Sequence, residues 1–138
     1  MNLRGCLGSM VLLAISLIAV SATMTAHAAE VEANAEADAE FTAFLRTWRS
    51  AAERNDAAAL AAMAQVPFLF EGREHDRDGI ARTVVPALFT PAVRRCLRSV
   101  APLNEDGRHV LSCAPYLFYL ERIDGRWRWV EFAADGEG

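Results

Sequence analysis

The C-terminal stretch from Arg108 to Ala133 most constrains what this chain can fold into. Asp124-Gly125 separates two runs rich in aromatic and β-branched residues, and an Asp-Gly pair between such runs is a strong hairpin signal. Read as a two-residue turn, it sets Ile123 opposite Arg126 and fixes the pairs beyond. Arg122 then faces Trp127, Glu121 faces Arg128, Leu120 faces Trp129, Tyr119 faces Val130, Phe118 faces Glu131 and Leu117 faces Phe132. A longer turn would change this register. Side chains alternate across a strand, so one face collects Tyr116, Phe118, Leu120, Trp127 and Trp129. The other collects Leu117, Tyr119, Val130 and Phe132, with Glu121 and Arg128 near the tip. Only one of these faces can meet helices. The second needs another layer, the N-terminal leader or a partner, because exposed apolar patches mark interaction sites.

Upstream of the hairpin the pattern is helical. Phe41, Phe44, Leu45, Trp48 and Ala52 recur at helical spacing, which predicts a helix from Ala39 to Arg54. Asn55-Asp56 ends it, and Asp56 can cap a second helix over Ala57 to Ala64. Val66 to Phe70 reads as an edge or first strand, with Pro67 at its start. Glu71 to Arg77 is a charged loop with room for a short second strand. Asp78-Gly79 opens a helix to Phe89, which Pro86 should kink or end. Thr90-Pro91 restarts the helix with a capping Thr and a Pro at the first helical position. Asn104 to Gly107 is a turn. Arg108 to Arg122 reads as one long strand, with Pro115 forcing a bulge or bend. Arg126 to Ala133 is the last strand.

Helices gathered first and antiparallel strands last argue an α+β fold. Phe44-Leu45 and Trp48, then Asn55-Asp56, Leu60 and Pro67-Phe68, followed by Phe89 to Arg94 and the closing Asp124 to Arg128, resemble as an ordered set the NTF2-like (cystatin-like, SnoaL-like) superfamily, small secreted members included. The resemblance covers residues 40–134. It implies N-terminal helices packed on a curved antiparallel sheet that forms a cone, with a cavity between them. It also implies that the outer sheet face makes a homodimer.

The N-terminus reads differently. Arg4 supplies a basic head, Met10 to Val20 is an apolar run, and small residues lead to Ala26-His27-Ala28. That order is a secretory signal peptide over residues 1–28. Residues 29–39 alternate Ala with acids, have nothing to bury, and read as a solvated leader or a frayed helix start. Residues 135–138 read as a frayed tail. The expected location is the bacterial periplasm or the medium. Removing residues 1–28 takes one Arg and no acid, which moves the formal charge from −4 to about −5. An acidic domain is a poor nucleic-acid partner, which needs a basic face. After processing two cysteines remain, Cys96 and Cys113, and an even pair in an oxidising compartment reads as a disulfide.

Candidate chemistry is sparse. Glu71, Glu74, His75, Asp76 and Asp78 crowd one loop, but neighbouring loop residues point in different directions, so a solvated loop with Asp78 as cap is expected and no metal site. His109 is the lone imidazole that could work with Tyr116 or Tyr119, its plainer reading being a surface histidine near a turn. Ser112 has no triad around it, and Cys113 is expected in the bridge. Arg94, Arg95 and Arg98 read as a solvated helix face. Trp48, Phe68, Phe70, Tyr116, Phe118 and Trp129 are expected as core, and the same rings are the candidate walls of an apolar pocket. Leu117, Tyr119, Val130 and Phe132 are the candidate interface. The expected function is binding of a small apolar ligand or a protein partner without catalysis or cofactor. The alternatives are an isomerase- or SnoaL-like enzyme with its site in the cone, and an inhibitor or immunity-type partner protein. A buried Asp or His opposite a Tyr would favour the enzyme; a cone filled by Trp and Phe would oppose it.

Overall fold

A computed structural model of the chain describes residues 21–134, with side chains from residue 26 onward. The apolar run of the expected signal peptide and the tail 135–138 lie outside the described residues. No helix among the described residues is long and apolar enough to cross a membrane. The chain divides into two units, residues 1–36 and 37–138. The first helix, α1, is Ser21–Glu53, and its side chains from Ala26 to Glu36 are all exposed. It begins well before the expected Ala39. The segment 29–39 is both solvated and helical, as Ala and Glu favour helix without asking for burial.

In the second unit α1 turns Phe41, Leu45, Trp48, Ala51 and Ala52 into the core. These positions fall on one helical stripe. Asn55 ends the helix in the left-handed region, with φ 55, a conformation Asn tolerates. Asp56 then caps α2, Ala57–Ala62, its carboxylate accepting from the Ala59 N–H at 3.0 Å. Strands β1, Phe68–Phe70, and β2, Arg73–His75, form a separate hairpin.

The next helical segment differs from the single helix expected at Asp78-Gly79. Its cap is Asp76, whose carboxylate accepts from the Gly79 N–H at 2.8 Å. Gly79 answers a different need: a Cβ there would lie 2.8 Å from His75 Nδ1. The segment runs as α3, Arg77–Gly79, a π-helical turn, Ile80–Val84, and α4, Val85–Leu88. Pro86 accounts for the break. It offers no N–H and its ring crowds the carbonyl four residues back, so the helix widens ahead of it. Thr90 caps α5, Pro91–Leu97, by accepting from the Val93 N–H at 3.3 Å.

Strands β3, Leu103–Glu105, β4, Arg108–Cys113, β5, Tyr116–Ile123, and β6, Arg126–Ala134, form a curved antiparallel sheet in that order, not closed into a barrel. The long strand expected from Arg108 to Arg122 is thus two strands. The chain reverses at Ala114-Pro115 and Cys113 faces Tyr116. Pro115 has no N–H to give to a ladder, and the expected bend is a full turn. The architecture is α+β.

At the hairpin tip the register is the one read from the sequence, from Ile123 opposite Arg126 down to Leu120 opposite Trp129. Beyond it Val130 is an extra residue, so Tyr119 faces Glu131, Phe118 faces Phe132 and Leu117 faces Ala133. A bulge of one residue swaps every later side chain to the other face. Phe132, expected on the outer face, therefore points inward, with ring centroids 5.4 Å from Phe70 and 6.4 Å from Phe68. The bulge follows a residue held by both its backbone groups on the edge of β6 away from β5. Trp129 N–H donates to the Met63 carbonyl at 3.0 Å, and its own carbonyl accepts from the Gln65 N–H at 2.8 Å.

Trp48, Phe89, Phe118 and Trp129 meet at the centre, with Trp48 edge-on to Phe89 at 5.5 Å and Phe89 edge-on to Trp129 at 5.3 Å. Each such pair adds about 0.5–1.5 kcal/mol beyond area burial. Cys96 and Cys113 are joined as a disulfide, Cα atoms 5.7 Å apart, which ties α5 to the end of β4.

Candidate functional site

The rings expected to wall a pocket do come together, but as packed core. Trp48, Phe68, Phe118 and Trp129 are fully buried, Phe70 nearly so, and Tyr116 half-buried. No polar or charged residue is buried among the described residues. The interior the sequence pointed to is filled by its own aromatic side chains.

A cavity of about 780 Å³ lies elsewhere, in a groove between α1 and the β3–β4 edge of the sheet. One wall is the face of α1 that carries Asp38, Phe41, Thr42, Leu45, Arg46, Arg49 and Glu53. Phe41 and Leu45 are the edge of the core stripe, and the polar residues sit beside it on the same helix. The other wall is Arg98, just past α5, with Pro102, Asn104 on β3 and His109 on β4. Its lining carries three arginines against two acids, in a chain whose formal charge is −4. The groove is a locally cationic spot on an acidic protein.

Several of the polar groups in it are placed by an identifiable contact. The His109 ring lies flat on Phe41, centroids 3.6 Å apart and planes 13° apart, with Trp127 at 5.2 Å. Burial pushes this imidazole below its ordinary pKa, and the charge of Asp38 opposes that shift. Arg49 Nη2 donates to the Val100 carbonyl. Its Nε is buried and has no hydrogen-bond partner, and burial lowers the guanidinium pKa from its ordinary value. Arg98 Nε meets Glu53 Oε1 at 3.3 Å, both side chains being exposed. Asn104 Oδ1 accepts from the Gly107 N–H at 3.3 Å, so Asn104 serves the β3–β4 turn.

The charged loop behaves otherwise. Asp76 is a cap, His75 lies beside the Phe70 ring at 6.0 Å, and no cluster of three His, Cys, Asp or Glu side chains fit for a metal occurs among the described residues. On the outer sheet face Leu117, Tyr119 and Val130 are half-buried. Arg108 covers Tyr119, its guanidinium carbon 4.3 Å from the ring centroid, and reaches Glu131 at 2.7 Å and Glu121 at 3.7 Å. Of the sequence candidates, His109 and Arg98 reach the groove. Asp38, Arg46 and Arg49 were missed, since their helical spacing alone reads as a solvated flank.

Against known proteins the chain stands apart: no family model, no curated protein and no solved structure matches it.

Proposed function

We propose that this chain is a secreted, non-catalytic binding domain of NTF2-like type, and that its ligand is a small, largely apolar molecule held in the groove between α1 and β3–β4. The observation that carries the reading is the contrast between two spaces. The interior is filled by Trp48, Phe89, Phe118 and Trp129, while the groove offers about 780 Å³, inside the range of about 300–1,000 Å³ usual for ligand sites. Apolar contact would come from Phe41, Leu45 and Pro102. Secretion is supported by the basic head, apolar run and Ala26-His27-Ala28, and by a disulfide, which a reducing cytosol would not keep.

The isomerase-like alternative needs an acid or imidazole inside the cone, and the absence of any buried charged or polar residue among those described weighs against it. The homodimer draws no support from the outer sheet face, where Arg108 lies over Tyr119 and pairs with Glu121 and Glu131. Native mass spectrometry of the protein recovered from the periplasm or medium tests the proposal, followed by amide chemical-shift mapping of whatever it retains. Shifts clustered at Phe41, Leu45 and His109 are expected. Shifts clustered at Trp48 and Phe118, with the groove silent, would sink it, and a retained protein in place of a small molecule would turn the reading toward an inhibitor or immunity-type partner.

A further inference from the structure

Phe41, Leu45 and Arg49 follow one another at four-residue intervals along the α1 wall of the groove, with Arg46 beside them and Arg98 and His109 on the wall opposite. Arg49 is half-buried there, and its Nε is buried without a partner. Among the described residues no carboxylate lies within ion-pair distance of it. The two acids of the lining do not compensate it. Glu53 is engaged with Arg98, and Asp38 is eleven positions up the helix, about 16 Å at the helical rise. A half-buried guanidinium with no counter-charge has lost part of its hydration without an ion pair to offset it, and an anion brought to it would supply one. Arg49 Nη2 already gives one hydrogen bond to the Val100 carbonyl, and the donors that remain on the planar guanidinium suit a carboxylate.

We propose that the groove takes an amphiphilic monocarboxylate, its carboxylate on Arg49 and its apolar body along Leu45 and Phe41. This rests on the reading of the groove as a ligand site. A space of about 780 Å³ is far larger than one carboxylate needs, so the ligand has a body as well as a head. A chain of formal charge −4 repels polyanions at range, which favours one charge over several. The same group is presented by a free fatty or aryl acid and by the C-terminus of a peptide.

The test uses the disulfide-bonded protein and four probes: octanoate, octanol, and a leucine-terminated tripeptide with a free or an amidated C-terminus. Amide shifts report where each binds, and titration reports how tightly. The acid is expected to shift Leu45, Arg49 and His109 and to bind at least about tenfold tighter than its uncharged counterpart, the scale of one charged hydrogen bond. A preference seen only in the peptide pair names a chain terminus as the source, and one seen only with octanoate names a free acid. Arg49→Gln should abolish the preference, while Arg95→Gln, on the exposed side of α5, should leave it. Should Arg49→Gln fail to fold, the acid-against-neutral comparison on the unaltered protein still decides. Equal binding of charged and neutral probes in the groove overturns the carboxylate inference and leaves the groove reading standing. If none of the four shifts groove residues, both fall.

Discussion

His109 and Phe41 form a parallel ring stack with centroids 3.6 Å apart, joining β4 to α1 in the wall of the groove. The stack makes the imidazole sensitive to pH. Burial lowers its folded pKa below the ordinary 6.5, and Asp38 pulls the other way. A lowered histidine pKa means that below about pH 6.5 the unfolded chain takes the proton first. The stability contributed is therefore full above that pH and is lost as pH falls through the folded pKa. Melting temperature should drop between pH 7.5 and pH 5. In His109→Gln this part of the drop should vanish, and in Asp38→Asn it should grow, since the opposing charge is gone. An identical pH dependence in wild type and His109→Gln would show that the stack does not titrate.

Phe132 and Val130 give a second test, of the bulge itself. In an unbroken ladder both would point outward. With Val130 as the extra residue, Phe132 packs on Phe70 and Phe68. Phe132→Arg should therefore cost roughly 3 kcal/mol or more, combining lost ring packing with a charge forced inward. Val130→Arg should cost about 1 kcal/mol or less, as surface changes do. Urea unfolding of the two variants compares them directly, and equal costs would argue for the unbroken register.

Much of this architecture was legible because it depends on local chemistry. Asp56 and Thr90 are caps with the right neighbours, and Asp124-Gly125 sets a turn whose first four pairs follow by alternation alone. The Cys96–Cys113 bridge followed from counting the cysteines left in a chain expected to be exported. What was not legible depends on partners distant in sequence. Nothing near Val130 signals a bulge; its setting is the contact of Trp129 with Met63 and Gln65, and the burial of Phe132 against β1. The groove was hidden for the same reason. Arg46 and Arg49 look like any solvated helix flank until β3 and the end of α5 come alongside.

The shift of the third helical segment's cap from Asp78 to Asp76 can be checked by paired substitutions. Asp76 Oδ1 accepts from the Gly79 N–H at 2.8 Å. Asp76→Ala should cost about 1 kcal/mol, within the usual 0.5–2 for a lost cap. Asp78→Ala removes an exposed first-turn acid and should stay within about 0.5 kcal/mol. Thermal melts at neutral pH separate them, and a larger loss from Asp78→Ala would return the cap to the position the Asp78-Gly79 pair suggested.

The disulfide closes a loop of 17 residues between α5 and β4, for which the chain-entropy relation gives about 3 kcal/mol. Converting both cysteines to Ala should remove that much and lower the melting temperature by roughly 10–20 °C for a domain of this size. The two sites are not equivalent. Cys113 is fully buried and Cys96 is half-exposed, so Cys113→Ser in the background of Cys96→Ala should lose about a further 1–3 kcal/mol by placing a hydroxyl among apolar atoms. The bridge also steadies the groove at a distance, since α5 leads directly to Arg98 and to the Val100 carbonyl that receives Arg49. Hydrogen exchange on the reduced protein should therefore speed up first at residues 96–100, and then around Arg49, before the β5–β6 hairpin responds. Exchange that rises uniformly across the sheet would instead make the disulfide a global staple with no particular hold on the groove.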